Sequence, residues 1–298
     1  MSFFYNFLPD YSEPLYRPPS ESRSLIFQIT EGCSHNKCTF CGMYIDKQFR
    51  LKPVNEVFRE IDKIPNDYAL RVDKIFLADG DAVIYPTDRL IIILDKMNEK
   101  FPNLKRISSY AGARELVLKS VHEWRELAHR KLTLIYFGME SGNNTVRKLM
   151  NKGYDVEEFI GTLKEISSFI DLSIMIILGG GGRKYSKEHA LDTARVISEV
   201  SPRYASLLTL FMRRNRDYFQ NIETPTMGDL MEESKTVISN IGGSNITFRS
   251  NHISNFVSLS GILPDDREKL VSSIDKGIAR LKAEGLYDMI PDYYMEDC

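Results

Sequence analysis

Three of the chain's four cysteines fall in one short segment, EGCSHNKCTFCGMY at residues 31–44, as Cys33, Cys38 and Cys41. Thiols this close together bind metal or pair as disulfides, and the rest of the chain reads as cytosolic, where metal binding is the commoner use. The start, MSFFYNFLPDYSEP, lacks the basic lead and apolar core of a signal peptide. The greasiest runs, LIIIL and LSIMIIL, are too short to span a bilayer. Three metal sites suit the spacing. A structural zinc site would need His35 as its fourth ligand, only two residues past Cys33. A [2Fe–2S] centre with C-x4-C-x2-C spacing would need Cys298, the remaining cysteine. A [4Fe–4S] cluster on three thiolates leaves one iron open, and an open metal position is where another molecule binds.

The elements that must position this loop follow a regular alternation. Apolar and β-branched runs recur as LIFQIT at 25, VDKIFLA at 72, LKRISSY at 104, LTLIYFG at 132, LSIMIIL at 172 and YASLLTL at 204. Each predicts a buried strand. Between them, segments from Pro53, Asp88, Val156 and Lys187 place apolar residues three and four apart, as helices facing a sheet do. Strand and helix in turn imply parallel βαβ units. Six units are too few for an eight-stranded barrel, so the expected class is α/β, a partial (β/α)6 TIM-like barrel with a C-terminal extension. The expected division is an N-terminal arm at 1–22, a core at 23–210 and an extension at 211–298 that packs on the barrel. In the extension, MGDLMEESKTVISNI and the stretch closing at Gly285 read as helices, and NITFRS as a strand. The cysteines follow the first strand, at the C-terminal mouth where sites of α/β barrels gather.

At 298 residues the chain can bury a large core. A formal charge of −2 supplies no net field toward nucleic acid or an anionic membrane.

The cysteine segment, with aromatic Phe40 just before the last cysteine, resembles the radical SAM superfamily. The usual first gap in that family is three residues, whereas here it is four. A second segment, FGMESGNNTVRKLMNKG at 137–153, resembles the Gly-x-Glu-Ser-Gly motif of the branch with methylthiotransferases, the elongator catalytic subunit and oxygen-independent coproporphyrinogen oxidase. The likeness extends over roughly residues 25–210.

The resemblance implies a [4Fe–4S] cluster on Cys33, Cys38 and Cys41, whose open iron binds S-adenosylmethionine (SAM). It implies reductive cleavage of SAM to methionine and a 5′-deoxyadenosyl radical that takes hydrogen from a substrate. Phe40 would border the cofactor. Asp79, Gly80 and Asp81, in ADGDA, stand where the family has a Gly-Gly-Glu-type turn for the SAM ammonium, although one glycine and the glutamate are replaced. Ser109, with Ser108 beside it, and Arg114 are candidates for the SAM carboxylate, a group that suits the guanidinium fork. Glu140 and Ser141 are candidates for polar contacts to SAM. Gly179 and Gly180, in LGGGGR, are expected near the adenine.

The substrate is expected to be a small molecule, and the reductant a flavodoxin or ferredoxin. Arg213, Arg214 and Arg216 could hold a charged substrate. Arg249, Asn251, His252 and Asn255 could cap the barrel, with Arg249 and His252 the catalytic candidates; Arg17 is a weaker candidate of the same kind. No second cysteine cluster is present to support methylthiolation, and no appended RNA-binding domain fits the length. Nucleic acid is therefore disfavoured as a partner, no membrane is expected, and the location is expected to be cytoplasmic. Two alternatives stay open: a tRNA-modifying radical SAM enzyme, and a non-catalytic metal-binding module holding zinc or an electron-transfer cluster.

Overall fold

A computed structural model of the chain describes residues 8–212, 214–252 and 254–294. Arg213 and Cys298 lie outside the described residues. Six strands form where the apolar runs predict them: β1 (Leu25–Gln28), β2 (Lys74–Ala78), β3 (Arg106–Ala111), β4 (Leu132–Glu140), β5 (Asp171–Leu178) and β6 (Tyr204–Thr209). The extension adds β7 (Ile246–Ser250) and β8 (Leu259–Leu263). All eight form one sheet in chain order. Pairing is parallel for β1 with β2, β2 with β3, β5 with β6 and β6 with β7, and antiparallel for β7 with β8. The fold is thus α/β, a partial TIM-like barrel that does not close among the described residues. The described residues divide into two compact units, one made of residues 8–36, 43–136 and 168–171, the other of residues 37–42, 137–167 and 172–294.

In the first unit, all four residues of β1 and four of the five in β2 are buried, as strands covered on both faces must be. Helix α1 (Val54–Lys63) turns Val57 and Ile61 inward, and α2 (Thr87–Lys100) turns Leu90, Ile93, Leu94 and Met97 inward. Both follow a proline, which cannot donate to a preceding turn and suits a helix start. Two helices that apolar periodicity did not predict, α3 (Ala113–Leu118) and α4 (Val121–His129), follow β3. A capping box of Ser120 and Glu123 starts α4, and Trp124 and Leu127 are its buried face.

In the second unit, α5 (Asn144–Leu149) and α6 (Val156–Ile166) follow β4, and α7 (Ser186–Val200) follows β5. Helix α8 (Met227–Asn240) packs on α7, and α9 (Arg267–Ala283) packs on α8. Strand β8 was not predicted, because Ser260 and Gly261 interrupt its apolar pattern. No helix among the described residues is long and apolar enough to cross a membrane.

Strand β7 alternates cleanly: Ile246, Phe248 and Ser250 are buried, whereas Arg249 is exposed. Phe248→Ala is therefore expected to cost about 3–5 kcal/mol through cavity formation. Arg249→Ala should stay within about 0.5 kcal/mol. Denaturant unfolding of the two variants checks both.

Candidate active site

The first unit holds the start of the cysteine loop. A two-rung antiparallel ladder, Thr30 with Leu51 and Glu31 with Arg50, closes the loop at its base. Gly32 leaves the ladder in the left-handed region at φ 73°, where a side chain is strained. Asp79, just past β2, then ties three pieces of chain together. Its Oδ2 accepts from the Gln28 amide at 2.9 Å, the Gly32 backbone N–H at 2.8 Å and the Lys47 ammonium at 3.0 Å. Asp79 is fully buried, and burial pushes its carboxyl up while these donors pull it down. Its Oδ1 is buried without a hydrogen-bond partner. Lys47 also donates to the carbonyls of Ser12 at 2.5 Å and Pro14 at 2.7 Å.

Two residues on, Asp81 accepts from the Ser34 backbone N–H at 3.0 Å and from the Ser34 hydroxyl. Between them, Gly80 donates to the Gly32 carbonyl at 3.1 Å, and a Cβ there would lie 3.0 Å from the Cβ of Cys33. The ADGDA turn is thus the floor under the first cysteine. The Ser108 and Ser109 hydroxyls, both fully buried, donate to the carbonyls of Ile75 and Leu77 in β2. Arg114 is exposed, and its charge favours the ionised form of Asp81. Next to it, Glu115 is buried with one oxygen unpartnered. Burial first, and then the charge of Asp81, pushes Glu115 up to about 7.

The second unit holds the rest of the loop. Both residues flanking Cys38 are fastened to the C-terminal end of α5. The Thr39 N–H donates to the Met150 carbonyl at 3.1 Å and its hydroxyl to Leu149 at 2.7 Å, while the Asn151 amide donates to the Lys37 carbonyl at 2.8 Å. The Phe40 carbonyl accepts from Asn215 at 2.6 Å, and its ring meets Tyr218 at 6.4 Å and the Lys152 ammonium at 5.8 Å. Tyr218 in turn donates to the carbonyl of Gly180. Lys152 pairs with Glu140 at 3.3 Å.

Glu140 ends β4 in the left-handed region at φ 63°, a conformation that persists in a non-glycine residue only when its surroundings enforce it. Its carboxylate folds back over Gly138, where a Cβ would come within 2.5 Å of Oε1. Gly142 presses on the backbone of α7, where a Cβ would stand 2.5 Å from the Asp192 carbonyl. Both glycines of the Gly-x-Glu-Ser-Gly motif are therefore close-approach positions.

Ser141 is fully buried and its hydroxyl lies 2.7 Å from His189 Nδ1. The opposite nitrogen, Nε2, faces the Ile177 carbonyl at 3.1 Å. A carbonyl only accepts, so Nε2 carries the hydrogen and Nδ1 accepts from Ser141. Glu233, on α8, accepts from the Gly179 N–H at 2.7 Å and the Ser186 hydroxyl at 2.5 Å, and stands 3.6 Å from His189. Within the glycine run, the space at Gly179 and Gly180 is filled by Leu230 and Met150. This buried network was not predicted, because His189 and Glu233 sit on the apolar faces of two helices distant in sequence.

The extension residues fall in two places. The Asn255 amide donates to the Leu207 carbonyl at 2.8 Å and its oxygen accepts from Thr209 at 2.8 Å, fastening its loop to the C-terminal end of β6. His252 is half-buried beside Ser254 at 2.7 Å, and burial lowers its pKa. Arg249 is exposed, its guanidinium 5.9 Å from the Tyr204 ring. Arg17, Asn251, Arg214 and Arg216 are also exposed.

The radical SAM superfamily profile matches residues 27–197, more than half of the chain. The chain belongs to the radical SAM superfamily. Its cofactors are accordingly a [4Fe–4S] cluster and SAM, and a superfamily member draws its electron from a reductant. Curated relatives fall in the methylthiotransferase branch. The tRNA-2-methylthio-N(6)-dimethylallyladenosine synthase of Wolbachia sp. subsp. Brugia malayi is 25% identical over 200 residues, covering 62% of this chain and 42% of the relative. The synthase of the same name from Treponema denticola is 24% identical over 183 residues, covering 58% and 40%. The chain thus spans less than half the length of these relatives. The expectation against nucleic acid finds no support in them.

Among solved structures, SuiB of Streptococcus suis, bound to S-adenosylmethionine, matches with TM-score 0.53 and 16% identity over 78% of this chain and 51% of that one. The methyltransferase TsrM of Kitasatospora setae, with cobalamin and a [4Fe–4S] cluster bound, matches with TM-score 0.51 and 12% identity over 63% and 37%. At these identities the likeness is one of fold. The chain's own residues fit the cluster by donor chemistry: three half-buried thiols on one loop are the soft ligands that iron–sulfur centres take. Among the described residues, no three Cys, His, Asp or Glu side chains, those of Cys33, Cys38 and Cys41 included, are gathered closely enough to hold a metal ion.

Burial pushes Glu233 up to about 7 and His189 down to about 4. The raised carboxyl contributes stability that is full below its ordinary 4.5 and lost as pH rises through about 7. The depressed imidazole contributes stability that is full above its ordinary 6.5 and lost as pH falls through about 4. The two slopes oppose each other between 4.5 and 6.5. Glu233→Gln removes the first, so its Tm is expected to fall more steeply than wild type on acidification across that window. Calorimetry over about pH 4 to 8 reads this, and a wild-type profile in the variant would exclude ionisation of Glu233.

Proposed function

We propose that the chain is a radical SAM enzyme in which Cys33, Cys38 and Cys41 hold the [4Fe–4S] cluster and SAM takes the fourth iron. When bound, the cluster supplies the electron that splits SAM into methionine and a 5′-deoxyadenosyl radical. The observation that carries the reading is the C-x4-C-x2-C loop within the matched segment, its first cysteine floored by Gly80 and its second flanked by residues fastened to α5. Structural zinc and an electron carrier are less well supported, since neither accounts for the Phe137–Gly153 motif.

The neighbouring side chains take distinct parts in this reading. Phe40 borders the cluster, and Glu140 is the acceptor offered to SAM, with Lys152 paired to it at 3.3 Å. Asp79 and Asp81 act mainly by holding Gly32 and Ser34, and Ser141 by orienting the turn after β4. Ser109 supports β2, and Arg114 is the cation available to the SAM carboxylate. Gly179 and Gly180, expected near the adenine, are buried with their space filled by Leu230, Tyr294 and Met150, and are given no part in this reading. His252 and Arg249 are the substrate-side candidates, and a flavodoxin or ferredoxin is the reductant.

The substrate is proposed to be a small molecule, in keeping with the formal charge of −2. A second reading, tRNA modification, is favoured by the names of the curated relatives. Reconstituted, dithionite-reduced protein is expected to release methionine and 5′-deoxyadenosine from SAM, with the cluster's electron paramagnetic resonance signal altered by SAM. Alanine at any of the three cysteines should reduce release to the no-enzyme background, and a SAM-indifferent signal would remove the reading. Salt-dependent retention of tRNA in filter binding would select the second substrate class.

A further inference from the structure

Arg147, on α5, is 1% exposed, yet no carboxylate among the described residues lies within ion-pair distance of it. Its Nη1 donates to the Met139 carbonyl at 2.7 Å, its Nε donates to the Tyr154 carbonyl at 2.9 Å, and its guanidinium lies 4.7 Å from the Phe159 ring. Its Nη2 is buried with no hydrogen-bond partner. Burying a cation against neutral carbonyls is costly, and an apolar residue of similar volume is often as stable or more so. Stability therefore does not account for an arginine here.

Its placement does. The residues on either side of Cys38, Lys37 and Thr39, are fastened to Leu149, Met150 and Asn151, two to four positions along the chain from Arg147. The second cation at this loop, Lys152, forms a direct ion pair with Glu140 at 3.3 Å, whereas Arg147 forms none among the described residues and meets Glu140, Asp155 and Glu158 only at longer range.

We propose that Arg147 is a positioning residue of electrostatic kind, a fixed buried positive charge that raises the reduction potential of the cluster ligated by Cys38. The inference rests on the three cysteines holding that cluster. Taking one electron from the reductant converts [4Fe–4S]2+ to [4Fe–4S]+, adding one negative charge beside a cation that water does not screen. The reduced form gains more than the oxidised form, and charge and hydrogen bonding near the cluster are the usual levers on its potential. Burial lowers the Arg147 pKa to about 10, while Glu140, Asp155 and Cys38 hold it up, so it stays protonated at neutral pH.

The test is an anaerobic redox titration of cluster-loaded protein, read by electron paramagnetic resonance, for wild type, Arg147→Met, Arg147→Gln and Arg147→Lys. The Met and Gln variants are expected to load wild-type iron and sulfide, yet to show about a tenfold lower ratio of reduced to oxidised cluster at a given poise. That ratio corresponds to about 59 mV for a one-electron couple. The Lys variant should restore the wild-type ratio. An unchanged ratio in either loaded neutral variant overturns the inference and leaves the cysteine assignment intact. Failure of both neutral variants to load, with Lys normal, makes Arg147 a structural post and also overturns it. Failure of wild type to load iron overturns the cysteine assignment, and the inference with it.

Discussion

One buried carboxylate oxygen, Asp79 Oδ2, is the constraint on which the start of the cysteine loop depends. It gathers an amide from β1, a backbone N–H from the loop's first turn and an ammonium from the loop's return. Desolvating a carboxylate is expensive, so three donors must be held in place for it to stay charged. Those donors fix Gly32 and Lys47 relative to the end of β2. Gly80 and Asp81 then complete the floor, because Gly80 has no side chain to push Cys33 away and Asp81 caps the Ser34 N–H.

The second unit reaches comparable order by another route. Here the ends of β4 and β5 are tied to helices through a chain of neutral and near-neutral groups: Ser141 to His189, His189 to Ile177, and Gly179 to Glu233. Close approach does the rest. Gly142 lets β4's exit press directly on α7, and Gly138 leaves room for the Glu140 carboxylate to turn back. A buried network of this kind is stable only when its members are satisfied, which couples the two strand ends to each other.

Much of the framework was legible in the sequence. The first six strands announced themselves as apolar runs, and the cysteine spacing and the Phe137–Gly153 motif pointed to one family. Helix α4 was missed although its signal was present, since Ser120 and Glu123 have capping-box spacing. Strand β8 was missed because its pattern is broken by Ser260 and Gly261. The supporting residues were not legible for a different reason. Lys47, Arg147, His189 and Glu233 acquire their partners only through tertiary contact, and on their own elements they look like surface charges or helix-face residues. Ser108 and Ser109 looked like ligand contacts from their place at a strand end, yet their hydroxyls are spent on the neighbouring strand.

The anchoring bonds of the cysteine loop have a consequence for what sets the path of the segment. Every bond that fixes Gly32, Ser34, Lys37 and Thr39 runs between protein groups, and none requires metal. Small zinc domains differ, since their folding energy is the energy of binding metal. Here the loop's path is set by the ends of β2 and α5, through hydrogen bonds that the chain supplies itself. A change at any of those strand or helix ends is therefore felt along the whole cysteine segment, even where the altered residue touches no cysteine.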